Sequence, residues 1–315
     1  MMNLFERIYS IYIIFLALLL LVFSCPANAE ELSLDDCRPL EISQETFDEP
    51  LEYSNAVLWK ISKTGQPPSY VFGTIHVSDP EITRLPENVR KTLLNAKIFT
   101  MEALPDDEQQ LQFSQMMFFN DGTTLRDFVD QSMFERIAEI LANYQFTTEM
   151  VLFLKPWAAF LIMNYPVDGG IPLDMQLLNT AEENGAQITA LETLEEQGEI
   201  FGDMALESQL RLLLDTVCHY EMLEDDFEVM KSYYLKRDMH GLYVYSNQYT
   251  ISNEALYLEL VKRLLTDRNH RMVDRMQDVL RRGNAFIAIG AMHLPGSEGV
   301  LALLEVMGYK ITPVY

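Results

Sequence analysis

Positive charge is what this chain has least of. Lys and Arg total 23 against 47 Asp and Glu, a formal net charge of −24. Such a surface repels phosphate backbones, which argues against nucleic acid as a partner, and it favours solubility. Tandem repeats are absent, which excludes a solenoid, and so are low-complexity tracts. No apolar run after the first thirty residues is long enough for a membrane span. Cysteine is sparse at 3 residues and histidine at 5, so the position of each carries information.

The first 29 residues read as a secretory signal: a short start with Arg7, an apolar block from about Ile8 to Phe23, and Ala27-Asn28-Ala29 before Glu30. Two rival readings are a lipid on Cys25, which Phe23 fits poorly, and an uncleaved anchor, for which the block is short of the ~20 residues of a span. The expectation is export, to a periplasm or outside the cell, with membrane contact only through this segment or a lipid on Cys25. Cys37 and Cys218 then remain. They pair in an oxidising compartment or stay as free thiols; spacing alone leaves both open.

Residues 30–315 read as a single α/β domain. Strands are expected near Val57–Ile61 and Tyr70–Ile75, around "AKIFTME" ending at Glu102, at "AQITALE" ending near Glu192, at "NAFIAIG", and at the closing edge "YKITPVY". Strands alternating with helices predict a largely parallel, mixed sheet covered by helices on both faces. "FIAIGAM" is apolar on both faces, as a central parallel strand should be. Asp79-Pro80 and Ser297 read as helix starts, and Gly185 and Gly308 as helix stops. From about 105 to 165 the spacing turns helical and rich in Met and aromatics. That stretch reads as an inserted helical core, with an adaptable apolar peptide groove as the other reading.

Four of the predicted strands finish on or just before a titratable residue: His76, Glu102, Glu192 and His293. In open α/β sheets, ligands bind outside the carboxyl ends of the strands. "GTIH" and "GAMH" share a Gly-x-x-His pattern, with Gly73 and Gly290 allowing close backbone approach. Two imidazoles and a carboxylate would suit a divalent ion, zinc, manganese or cobalt, which makes water a nucleophile near neutral pH. Each residue also has a plain reading. A histidine after a strand is commonly a satisfied loop residue, and a strand-final Glu such as Glu102 is commonly a cap or salt-bridge partner. His219, His240 and His270 lie in helical surroundings and read as packing or surface residues.

The paired "GTIH" and "GAMH" resemble the TraB/GumN (Tiki-like) family, whose members carry two such motifs at the two ends of the domain. "LPENVRKTLLNAKIFTMEAL", "PLDMQLLNTAEENGAQITALETLEEQ" and the block from "LTDRNHRMVDRM" to "YKITPV" are similar to the family as well. The resemblance implies a fold related to the erythromycin-esterase and ChaN-like group, and the metal-dependent peptide hydrolysis of Tiki-type members. Carried over, it makes His76, Glu102 and His293 the metal ligands. Arg268 is then an oxyanion or carboxylate anchor, or else the salt bridge that positions Glu102 or Glu192. Glu192 is a general base, a further ligand or a capping carboxylate; Asp174 has the same options with a structural leaning. The function expected is an exported metal-dependent hydrolase acting on a peptide or protein. The alternatives are a peptide-sequestering protein without catalysis and an accessory role in surface polysaccharide production.

Overall fold

Alternating apolar segments rich in Ile, Val and Phe pair into one sheet, because an extended chain points successive side chains to opposite faces. The computed structural model describes residues 31–39, 41–42, 49–104, 106–167, 170–247, 249–250 and 254–315. Residues 1–30, on which the expectation of a signal segment and of a lipid on Cys25 falls, lie outside the described residues. The chain forms two compact units, one built from segments 31–38, 106–164 and 194–220, the other from the remaining described residues.

The α/β unit holds a sheet of six strands among the described residues: β1 (Leu58–Ser62), β2 (Ser69–Thr74), β3 (Ile98–Ala103), β4 (Gln187–Glu192), β5 (Ala285–Gly290) and β6 (Lys310–Pro313). Their order is β4-β3-β5-β2-β1-β6. β4, β3, β5 and β2 are mutually parallel, whereas β1 and β6 join antiparallel. β5, late in the chain, inserts between β2 and β3. That insertion brings the two distant Gly-x-x-His segments side by side, with Thr74 in register with Gly290. As expected, β6 is an edge strand.

Helices cover both faces. Ile287 and Ile289 of β5 face a core with Val71 and with Met272, Val273 and Met276 of the helix Asp267–Arg282. Phe286 and Ala288, one residue out of phase, face Phe72, Phe99 and Leu177 of the helix Leu173–Glu183. Full burial of each Ile, Val, Phe, Leu or Met side chain here contributes about 1.5–3 kcal/mol.

Several local signals act as read from sequence. The Asp79 carboxylate accepts from the Glu81 N–H at 2.7 Å and caps the one-turn helix Pro80–Thr83. Gly185 and Gly308 end their helices at positive φ, 74° and 85°. Ser297 does not cap the last helix. That helix runs Val300–Val306 from a Gly299 cap, because the chain first makes a turn through Gly296, with the Gly299 N–H bonded to the Gly296 carbonyl.

The helical unit takes residues 106–164 together with 194–220, which includes the helix Leu206–His219. Of its Met and aromatic residues, Met133, Phe134, Trp157 and Met163 are buried core, whereas others, Met116, Met117, Phe118 and Phe119 among them, are half-buried. Trp157 stacks on Phe201 with ring planes 3° apart and meets Phe113 edge-on. Cys37 and Cys218 form a disulfide, with Cα atoms 5.6 Å apart, inside the range such bonds require. Of the two readings of these cysteines, pairing is the one the structure adopts. No helix among the described residues is long and apolar enough to cross a membrane.

Candidate metal centre

All the candidate residues lie in the α/β unit: His76, Glu102, Glu192 and His293 at or just past the carboxyl ends of its parallel strands, Asp174 and Arg268 in the first turns of the helices Leu173–Glu183 and Asp267–Arg282. Glu102 is the penultimate residue of β3 and Glu192 the last of β4; Ala103 and Glu192 are in register. His76 follows β2 by two residues. His293 closes the single 3-10 turn Ala291–His293 that leaves β5. Strand order alone therefore collects residues from four separate parts of the chain.

Glycine makes this crowding possible. A Cβ on Gly73 would stand 2.9 Å from the Ala291 Cα and 2.7 Å from a Leu294 methyl, closer than side chains pack. The first motif strand thus touches the second motif's turn. A Cβ on Gly290 would stand 3.2 Å from Glu102 Oε1 and 3.3 Å from His293 Cδ2.

Glu102 is held on both oxygens. The Gly290 N–H donates to Oε1 at 2.6 Å and Arg268 Nη2 to Oε2 at 2.6 Å. The same Nη2 donates to Glu192 Oε2 at 2.8 Å, Nε reaches that oxygen at 3.0 Å, and Nη1 reaches the Leu264 carbonyl at 3.3 Å. Of the readings weighed for Arg268, the geometry matches the salt bridge that positions Glu102 and Glu192 together. Glu192, with its side chain 1% exposed, forms a fork with the guanidinium. Burial disfavours the Glu102 carboxylate. The charges of His293, Arg268 and His76, with the Gly290 N–H, outweigh it and hold the pKa down at about 2. At neutral pH Arg268 is the permanent cation among these.

The two motif histidines differ. His293 is buried, its side chain 5% exposed, with Nε2 3.7 Å from Glu102 Oε1 and Nδ1 2.6 Å from Asn269 Oδ1. Burial lowers its pKa to about 4 against the pull of Glu102. The His76 side chain is 48% exposed; its Nδ1 lies 2.5 Å from Asp174 Oδ2 and its ring 6.2 Å from that of Tyr165. Desolvation works against the charged form of His76, but the hydrogen bond and charge of Asp174 prevail and raise the pKa to about 9.

The donor types suit a divalent ion. Two ligands bonded at 2.0–2.2 Å around a tetrahedral ion stand about 3.3–3.6 Å apart, and Glu102 Oε1 and His293 Nε2 are close to that separation. Both imidazoles have Nδ1 engaged by an outer partner, the usual support of a ligating histidine. Among the described residues, however, no three His, Cys, Asp or Glu side chains are drawn into a group that could hold a metal ion. Glu102 and His293 are the close pair, with the charge of His76, two residues past the end of the strand Ser69–Thr74, acting on both.

Sequence reasoning gave Asn269 no role and leaned towards a structural one for Asp174. The signal for Asn269 was present. Met272, Val273, Met276, Val279 and Leu280 form the buried stripe of an amphipathic helix, and Arg268 and Asn269 continue that stripe backwards, four and three residues before Met272. Two polar residues at core positions are an anomaly that marks a site. The remaining histidines engage other groups: His219 the carbonyls of Asp215 and Arg38, His240 the Leu51 N–H, and His270 the Glu298 carboxylate.

Among known proteins, the chain is similar to the metalloprotease TIKI2 of Danio rerio, at 24% identity over 314 residues. It is also similar to the metalloprotease TIKI homolog of Amphimedon queenslandica, at 26% identity over 316 residues. Each similarity covers 82% of this chain, which spans about 60% of the length of either relative. No solved structure matches the chain at a significant level. The model of the TraB/PrgY/gumN family matches residues 57–313, which include both Gly-x-x-His motifs and every strand of the sheet. The chain belongs to the TraB/PrgY/gumN family.

Proposed function

We propose that this chain is an exported metal-dependent hydrolase of peptide bonds, with His76, Glu102 and His293 as the ligands of a divalent ion. The observation that carries the reading is the 3.7 Å approach of His293 Nε2 to Glu102 Oε1 at the ends of adjacent parallel strands, with His76 two residues past the end of the next strand. The relatives named as metalloproteases support it at low identity. Bound, the ion would supply Lewis-acid polarisation of a water or a peptide carbonyl.

The chain's own residues have separable tasks. Asp174 and Asn269 orient the two imidazoles. Arg268, braced by Glu192, and the Gly290 N–H orient Glu102. We assign Arg268 and Glu192 to positioning rather than to contact with substrate, because the guanidinium is committed to two carboxylates and a carbonyl. A peptide or protein is the proposed substrate. The disulfide supports export, since such bonds persist in oxidising compartments.

The alternative reading is a peptide-binding protein without catalysis. One experiment separates them. Purified chain is incubated with a peptide library, with and without chelator, and the products are read by mass spectrometry. New fragments that vanish with chelator support hydrolysis. Chelator-insensitive depletion without fragments supports sequestration.

A further inference from the structure

We infer that Asn269 is a positioning residue of the candidate centre: its amide holds His293 as the Nδ1–H tautomer and so turns the unprotonated Nε2 towards Glu102. The inference starts from the far side of the amide. Asn269 is 3% exposed, in the first turn of the helix Asp267–Arg282. Its Nδ2 lies 2.8 Å from the Glu298 carbonyl oxygen. A carbonyl only accepts, so the atom facing it must be the NH2 group. The amide cannot be turned round without setting two acceptors against each other.

That orientation dictates the near side. The atom facing His293 is Oδ1, at 2.6 Å from Nδ1. Oδ1 also only accepts, so Nδ1 carries the hydrogen. A neutral imidazole has one such hydrogen, and Nε2 is left with its lone pair. Nε2 lies 3.7 Å from Glu102 Oε1, itself an acceptor and too distant for a hydrogen bond. Two acceptors face each other across a gap that suits a cation, and one amide sets up that arrangement. His76 has a carboxylate, Asp174, at the equivalent nitrogen, with no comparable amide lock.

The consequence for ion binding rests on the metal-hydrolase reading, whereas the tautomer does not. The test therefore begins with metal-free chain labelled with 15N, in which long-range 1H–15N correlations report which ring nitrogen of His293 is protonated. The expected result is a protonated Nδ1 and a bare Nε2. Asn269→Ala removes the acceptor and releases the Nε2–H form. Asn269→Asp keeps an acceptor for Nδ1–H, loses the donor to Glu298, and retains the Nδ1–H form. Zn2+ titrations follow: Asn269→Ala weakens affinity about 10–100-fold, the usual cost of losing such an outer partner, and Asn269→Asp restores most of it. A residue that merely ties the helix to Glu298 would make Asp as damaging as Ala. An Nε2–H tautomer in the parent chain overturns the inference, as does an unchanged tautomer in Asn269→Ala. If Asn269→Ala does not fold, the parent chain and Asn269→Asp decide alone. A parent chain with the expected tautomer that takes up no Zn2+ removes the metal reading and leaves the tautomer assignment standing.

Discussion

The Gly290 N–H donates to Glu102 Oε1 at 2.6 Å, so the second motif grips the carboxylate of β3 through backbone as well as presenting its histidine. A side chain at this contact would be tight. Gly290→Ala would drive a methyl against Glu102 Oε1 and the His293 ring, at 3.2 and 3.3 Å. The expected outcome is a modest destabilisation of about 1–3 kcal/mol, typical of overpacking, with loss of divalent-ion binding out of proportion to it. Urea denaturation and ion titration of the same variant check this. Gly73→Ala, which meets Ala291 backbone at 2.9 Å, should cost more stability.

Arg268 ties Glu102 and Glu192 together, with all three side chains nearly buried at 9%, 13% and 1% exposure. Arg268→Leu removes the cation that Glu102 and Glu192 share, leaving Arg271 Nε at 3.9 Å from Glu192 Oε1, and breaking such a buried network costs about 3–5 kcal/mol. Arg268→Lys should recover only part, because an ammonium cannot reproduce the fork to Glu192. Adding Glu192→Leu to Arg268→Leu should restore stability relative to Arg268→Leu alone. Urea midpoints of the four proteins test this.

Much of this arrangement was legible in the sequence. The strands ending near His76, Glu102, Glu192 and His293 and the paired Gly-x-x-His segments followed from apolar periodicity and punctuation by glycine. The order of strands was not legible. Nothing in a linear pattern says that β5 inserts between β2 and β3, since that is decided by packing of both helix layers. The gathering of residues 194–220 with the inserted helices was equally hidden, because their apolar spacing fits any helical neighbour. Ser297 misled because a serine before an apolar run is a good cap signal, and Gly296 and Gly299 displaced the helix start by making a turn first.

Stability should fall in acid, in two windows. Glu102 is ionised in the fold down to about pH 2 against an ordinary value of 4.5. A carboxylate depressed by folding adds stability that is complete above 4.5 and is lost as pH falls towards 2. At about 1.4 kcal/mol per unit this amounts to on the order of 3 kcal/mol. His293, lowered from 6.5 to about 4 by burial, acts in the same sense: its contribution is complete above 6.5 and lost as pH falls towards 4. Chemical denaturation of metal-free chain from pH 7.5 to 3 should show both. Glu102→Gln should flatten the lower window and deepen the upper one, because it removes the charge that raises the His293 pKa against burial.

The disulfide joins residues 181 positions apart within the helical unit. Closing a long loop restricts the unfolded chain, and removing a native bridge typically costs 2–5 kcal/mol. Cys37→Ser and Cys218→Ser should each lower the melting temperature by a similar amount, and reductant should lower the parent chain to match them while leaving the variants unchanged. Calorimetric scans with and without reductant provide the comparison.

The central claim is that the two motif histidines share an ion with Glu102. Elemental analysis of purified chain, after exposure to Mn2+, Co2+ or Zn2+ and removal of excess, tests it most directly when run beside folded His76→Ala and His293→Ala. The account predicts stoichiometric retention of a divalent ion by the parent chain and its loss from both variants. A parent chain that retains none, or variants that retain as much as the parent, would contradict it.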